Sequence, residues 1–260
     1  SVLLLEGIYF YNFTTPEFNV NICQLPFWSL TVFYSWKIYS RKEIKFLDCF
    51  FVGLFGAFGF LSKYLFIYLL AAIMLLFIYL IFLNKERKFD FKYLISFEVF
   101  LVVLVPHLIW LHNNDYVTFT YGLARTGLEQ SALIDHIKFP IIFLLKQVGL
   151  LIPFLILSWL LIKKVKFKLN LNDKKLLFLL VINILPISLI FLTSLITGSK
   201  IRTMWMTPFY LFFGTLFVYL FQAQINIKKL KPFMLGFIFF FFLSPGLYAY
   251  VSISNENKRT

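Results

Sequence analysis

Blocks of apolar residues, most of them near twenty positions long and separated by short polar or basic stretches, run through this chain from end to end. The hydrocarbon core of a bilayer is about 30 Å thick and needs about 20 apolar residues per helical crossing, so each full-length block predicts a membrane-spanning helix. The blocks are Ser1 to Phe13 as a partial span, then Phe18 to Tyr39, Phe46 to Leu61, Tyr64 to Leu83, Tyr93 to Leu111, Phe139 to Ile162, Leu176 to Ile196, Met204 to Phe221 and Pro232 to Val251. The pattern predicts an all-α, polytopic transmembrane helical bundle of about eight or nine spans, with residues 1–260 forming a single transmembrane domain.

Composition strengthens this picture. The chain is 60% hydrophobic, 21% aromatic and only 14% charged, whereas soluble domains are near one quarter charged and under half apolar. Its solvent must therefore be lipid. The net charge of +13 would suggest nucleic acid in a soluble protein, but here the basic residues sit in short clusters between apolar runs, which is membrane topology and excludes a nucleic-acid partner. Cys23 and Cys49 fall near opposite ends of adjacent predicted spans, so they read as ordinary buried thiols and not as a disulfide. Ser1 opens directly into an apolar run without a basic leader, and the polar tail from Asn255 to Thr260 stops without forming an element. The chain therefore reads as cut at both ends.

The charge clusters give the bundle a direction. Lys37, Arg41, Lys42 and Lys45 form the first, and Lys85, Arg87, Lys88 and Lys92 the second. Lys163, Lys164, Lys166, Lys168, Lys174 and Lys175 form the third, and Lys228, Lys229 and Lys231 the fourth. Together they hold seventeen of the 25 basic residues and fall on one side if every block crosses. Positive charge is retained in the cytoplasm, so the expected location is an inner (plasma) membrane with an exoplasmic, periplasmic active face. That face receives Thr14 to Asn19, the Ser62-Lys63 turn, the long loop His112 to Lys138 and the turn Gly198 to Arg202.

Candidate chemistry concentrates there. Lys63 follows the glycine-spaced run Gly53, Gly56, Gly59, whose small residues let helices approach closely. It either snorkels to the interface or meets a phosphate as a point-charge partner. Arg125, Lys200 and Arg202 stand on the side that normally lacks basic residues and could converge with Lys63 on one anionic group. The bland reading is independent contacts with lipid headgroups. Glu17, Asp115, Glu129 and Asp135 supply carboxylates, any of which is a general-base candidate or a solvated loop charge. Glu17 stands out because Pro16 interrupts the helical pattern beside it. His107, His112 and His136 lack metal-site spacing, and no phosphate-binding loop, dinucleotide fingerprint or serine elbow occurs. Glu98 and Lys146 lie inside predicted spans, where ionisable groups usually face a protein interior or a cavity.

Three stretches resemble the dolichyl-phosphate-mannose-protein mannosyltransferase-like group, glycosyltransferase family 39, together with its bacterial relatives that include lipid A aminoarabinose transferases. Phe18 to Trp28 is similar to that family's Phe-Asn-x-Asn…Pro-Leu-Trp helix start. The run Gly53 to Tyr64, ending Phe60-Leu61-Ser62-Lys63-Tyr64, is similar to its Gly-rich helix closing in Leu-(Ser/Thr)-Lys-Tyr. Pro106 to Phe119 is similar to its Pro-x-x-Ile-Trp-Asn segment, with Leu111 where the family usually has Asn. Weaker echoes are Gln147 to Pro153 and the turn holding Trp205, Pro208 and Tyr210.

The resemblance implies a GT-C type membrane glycosyltransferase that moves a sugar from a polyprenyl-phosphate carrier, with inversion, to a lipid, glycan or protein acceptor. Membrane lipids surround it and no dissociable cofactor is required, although some relatives hold a divalent metal near the carrier phosphate. Lys63, Arg125, Lys200 and Arg202 are the expected donor-phosphate ligands. Asn19, Asn21, Trp110, His112, Tyr121 and Gln147 are the expected cavity residues. The family's catalytic acid lies in a loop upstream of Ser1, which leaves Glu17 and Asp115 as weak catalytic candidates and implies that this fragment alone is inactive. Two other classes compete: a polytopic transporter or lipid flippase, for which no two related halves are found, and an O-antigen ligase or polymerase-like protein.

Overall fold

The computed structural model describes residues 1–12, 18–127, 132–162, 165 and 169–254. The described residues hold no strand and one isolated antiparallel bridge, Ile162 with Ile225. Ten α-helices are formed: α1 Tyr9–Asn12, α2 Val20–Ser40, α3 Phe46–Ser62, α4 Ile67–Ile78, α5 Lys92–Asn113, α6 Val117–Thr126, α7 Asp135–Leu161, α8 Lys174–Thr197, α9 Phe213–Phe221 and α10 Leu230–Ile253. The first apolar block is not one helix but a 3₁₀ segment, Val2–Gly7, followed by α1.

Among the described residues five helical stretches are long and apolar enough to cross a membrane: Tyr64–Leu83, Lys92–Asn113, Asp135–Leu161, Lys174–Thr197 and Ile227–Tyr250. A sixth arises if Thr203–Tyr210 and α9, bent by 50° from each other, count as one broken span. Helices α2 and α3 fall short for different reasons. Asn21, Gln24, Thr31 and Ser35 lie on the buried face of α2 and lower its hydropathy, while the 17 residues of α3 rise only about 26 Å at 1.5 Å per residue.

Local chemistry sets the helix ends. The Asn19 side chain caps α2 by accepting from the Asn21 amide at 2.9 Å, and Asp173 caps α8 by accepting from the Lys175 amide at 2.9 Å; each satisfies donors that a helix start leaves free. At the other end of α8, Gly198 takes φ 66° and returns its amide to the Ser194 carbonyl, a left-handed stop that glycine adopts without strain.

The glycine run of α3 works as its spacing predicts. A Cβ on Gly53 would lie 2.4 Å from the Ser96 carbonyl oxygen of α5, and one on Gly59 would lie 2.2 Å from the Phe66 ring. Helix α5 thus packs directly on α3, pinned by Ser96 Oγ donating to the Cys49 carbonyl at 2.8 Å. The main core is aromatic. Trp28, fully buried, meets Phe66 edge-on at 5.4 Å and Phe209 at 5.0 Å, locking α2, the start of α4 and the Thr203–Tyr210 segment together.

Several described members of the four basic clusters are tied down at one end of the bundle. Asp48 accepts from Lys37 and Arg41, both at 2.6 Å. Arg87 donates to the Tyr39 carbonyl at 2.6 Å, Lys92 to the Ile44 carbonyl at 3.1 Å, and Lys229 to the Ile162 carbonyl at 2.7 Å. Lys174 pairs with Glu86 at 3.0 Å, which holds that carboxyl below its usual range. Tyr219 does the same to Asp173 through a 2.7 Å hydrogen bond. Lys163, Lys164, Lys166 and Lys168 lie outside the described residues.

Candidate functional site

The opposite end is built differently. There α3 closes at Lys63, whose φ of −167° is extended backbone, and the chain turns at once into the next helical stretch. The extended residue carries its side chain across to α2, where Nζ donates to Asn21 Oδ1 at 2.5 Å. It also lies 5.0 Å from the centre of the Trp205 ring, a cation–π contact. Burial first, and then the charge of Arg125, push the Lys63 ammonium down to about 7. One turn along α2 from Asn21, both amide atoms of the fully buried Gln24 lack a protein hydrogen-bond partner.

Tyr64, the next residue, faces α5 and α6. Its hydroxyl oxygen lies 2.7 Å from His107 Nε2 and 2.7 Å from Thr118 Oγ1, and its ring stacks on Phe119 at 5.0 Å. His107 in turn stacks on Trp110 at 5.8 Å. Between these contacts the chain turns from α5 into α6 through two non-glycine residues in the left-handed region, Asp115 (φ 49°) and Tyr116 (φ 55°).

Helix α6 therefore occupies part of what the sequence reads as an open loop. No α6 residue is buried. At its far end the Arg125 guanidinium donates to the Tyr121 hydroxyl at 2.6 Å, and the Thr126 carbonyl accepts from the Lys200 amide at 3.0 Å. Arg202 follows after Ile201, and its carbonyl accepts from the Trp205 amide at 3.0 Å, so the residue beneath Lys63 belongs to the turn that carries both cations.

The Arg125 charge thus acts on Lys63, and the backbone of the turn carrying Lys200 and Arg202 meets the end of α6 at Thr126 and leads to Trp205 beside Lys63. Asn21 joins this end through Lys63, Tyr121 through Arg125 and Trp110 through His107. Asn19 is exposed and acts as the helix cap. His112 is exposed, with Nδ1 3.3 Å from the Tyr116 hydroxyl. Gln147 sits elsewhere: it accepts from the Tyr210 hydroxyl, at the opposite end of the Thr203–Tyr210 segment from Arg202. Both residues line an apolar crevice of about 320 Å³ between α7 and α8.

Among the carboxylates, Asp115 is exposed and Asp135 accepts from the Ala132 amide at 2.9 Å; Glu17 and Glu129 lie outside the described residues. Glu98 and Lys146 are exposed on their helices and face neither the core nor the crevice. Among the described residues no three His, Cys, Asp or Glu side chains converge on a point that could hold a metal ion, so no step is assigned to one. Both cysteines are free thiols.

Residues that sequence reasoning left without a role are Thr118 and Tyr64. Both were visible as motif positions, Tyr64 closing the Leu-Ser-Lys-Tyr run and Thr118 as the Ser/Thr position of the Pro106 to Phe119 stretch, but neither motif announced their contact.

Described residues that are helical and strand-free, with five stretches long and apolar enough to cross a membrane, define an integral membrane protein. Residues 1–110 match the family described as dolichyl-phosphate-mannose-protein mannosyltransferase, which bears out the resemblance and supports a membrane glycosyltransferase. The matched stretch contains Asn21, Lys63, Tyr64 and His107; Arg125, Lys200 and Arg202 lie beyond it. No curated protein and no solved structure matches the chain.

Proposed function

We propose that the chain binds a polyprenyl-phosphate-linked sugar at the Lys63 end of the bundle and serves its transfer to an acceptor on the exoplasmic side. In such a transfer an acceptor heteroatom attacks the anomeric carbon, the bond from that carbon to the phosphate oxygen breaks, and the phosphate leaves with the electron pair. The acceptor's proton goes to a general base. The developing negative charge on the phosphate is what a preorganised cation stabilises best.

The observation that carries this reading is the placement of Lys63. Its ammonium is held by a neutral amide oxygen and an aromatic face, with a second cation close enough to depress its proton affinity. Cations gathered without a partnering carboxylate in the contacts described above suit an arriving anion. Arg125 adds a planar donor set that fits two phosphate oxygens, and Lys200 and Arg202 bring further positive charge beside it. The opposite end, rich in cations already bonded to carbonyls and carboxylates, suits the cytoplasmic side.

The test is transfer of labelled sugar from a polyprenyl-phosphate donor by the full-length protein in membranes. Lys63→Ala and Arg125→Ala each reduce turnover by about 100-fold or more, the scale for removing one charge-stabilising donor, with insertion and yield unchanged. Wild-type turnover in both variants would overturn the assignment.

A further inference from the structure

We infer that Tyr64 is a positioning residue whose hydroxyl clasps α6 so that Arg125 is held facing Lys63. The inference rests on the proposed phosphate site for its functional meaning, but its geometry stands independently.

Helix α6 has no core to hold it. None of its residues is buried, and Val117, Phe119, Tyr121 and Leu123 are all exposed. A ten-residue helix of this kind is marginal alone, so its orientation must come from what grips its ends. At the far end, among the described residues, the backbone grip is the Lys200 to Thr126 hydrogen bond. At the near end it is Tyr64, through the Thr118 hydroxyl and the Phe119 ring.

Thr118 and Arg125 are seven positions apart, almost two full turns, and therefore lie on the same helix face. Tyr121 falls between them on that face and holds the guanidinium. Pinning Thr118 to the residue next to Lys63 consequently turns Arg125 toward Lys63 as well. The His107 contact completes the clasp: a hydroxyl bridging two partners donates to one and accepts from the other, which ties the last turns of α5 to the first turn of α6 across the left-handed Asp115-Tyr116 corner.

Two readouts test the inference in the full-length protein in nanodiscs. The first is Lys63 titration, followed by NMR of isotopically methylated lysines. Arg125→Ala removes a like charge and raises the Lys63 titration midpoint. Tyr64→Phe, which keeps the ring stacking, and Thr118→Val, which leaves the neighbours of Lys63 intact, raise it in the same direction, and neither adds to Arg125→Ala when combined with it. An unchanged midpoint in both clasp variants, or additive shifts in the double variants, would overturn the inference.

The second readout is affinity for a sugar-free polyprenyl phosphate. Tyr64→Phe weakens binding by about 10-fold in the wild-type background and by less than twofold in Arg125→Ala. If the wild type does not bind the phosphate, the proposed function fails while the titration still decides the positioning role. If it binds and Tyr64→Phe costs as much without Arg125 as with it, positioning fails and the phosphate site stands.

Discussion

Lys63 Nζ and Asn21 Oδ1, 42 positions apart in sequence, meet at 2.5 Å and join the end of α3 to the start of α2. Asn21 is buried, and its neighbour Asn19 caps the same helix turn. Two of the family-like stretches are thus joined by this hydrogen bond, along with Ser62 Oγ donating to Cys23 Sγ at 3.9 Å and the Phe27–Phe58 ring contact. The third is held by Tyr64, one residue after Lys63.

Removing the acceptor should expose that dependence. Asn21→Leu leaves a half-buried ammonium without its oxygen, and loss of a partner to a buried charged group costs about 1–3 kcal/mol. Thermal unfolding in detergent should fall accordingly, and affinity for the carrier phosphate should fall in parallel. A variant as stable as wild type, with unaltered affinity, would show that the contact does nothing.

The proton affinity of Lys63 predicts a pH profile. Burial and Arg125 lower its folded value to about 7, whereas an unfolded lysine titrates near 10.4. Between these values the unfolded chain binds more protons, so stability rises with pH from about 7 to about 10. Donor binding moves the other way. It needs the charged amine, and so weakens as pH rises through about 7, although a bound phosphate shifts the midpoint upward. Donor affinity measured from pH 5.5 to 9 should show this fall, and Lys63→Arg, charged throughout, should flatten it. An identical slope in the two proteins would remove Lys63 from the account.

At the basic end, Asp48 is the buried partner of Lys37 and Arg41. Asp48→Asn leaves two cations beside one neutral amide, and stability should fall by about 1–3 kcal/mol. Lys37 and Asn21 are sixteen residues apart on one helix, about 24 Å. Turnover per folded molecule should therefore be unchanged; a large loss of turnover with normal stability would contradict the division of labour between the ends.

Gly53 permits the close approach of α5. A Cβ there meets the Ser96 carbonyl oxygen at 2.4 Å and the Val99 side chain at 2.9 Å, and backbone cannot move aside cheaply. Gly53→Ala should cost about 1–3 kcal/mol, the usual scale of overpacking. It should also loosen α5 and with it His107. Cysteine crosslinking across α3 and α5 would report the separation, and unchanged rates would argue against tight packing.

How much of this was legible beforehand follows from the range of the interactions. Boundaries of the long apolar helices were readable because burial in lipid is written in the sequence as block length: Tyr93 to Leu111 became Lys92–Asn113, and Leu176 to Ile196 became Lys174–Thr197. The broken segment at 203–221 was not readable, because a 3₁₀ stretch containing Pro208 and an α-helix share the same apolar composition. Helix α6 was hidden for the opposite reason, since its polar and aromatic mix resembles a loop and its order comes from contacts at its ends. Lys63, Arg125, Lys200 and Arg202 were singled out because they stand outside the basic clusters; their role as phosphate ligands is the proposal above. Gln147 was drawn to the same site by motif, but it pairs with Tyr210, 63 residues away, a partner that no local pattern announces.

Arg87 and Lys229 spend their hydrogen bonds on main-chain carbonyls at the ends of α2 and α7, and Lys92 on that of Ile44 in the connection before α3. Those lysines and arginines act as mortar, and swapping one for another cation of similar reach should be tolerated. At the far end Lys63 and Arg125 bond side-chain oxygens instead, Asn21 Oδ1 and the Tyr121 hydroxyl, and under the proposed function these partners turn aside when an anion arrives. A tally of positive charges treats both groups alike; what separates them is whether the partner is fixed main chain or a side chain free to rotate.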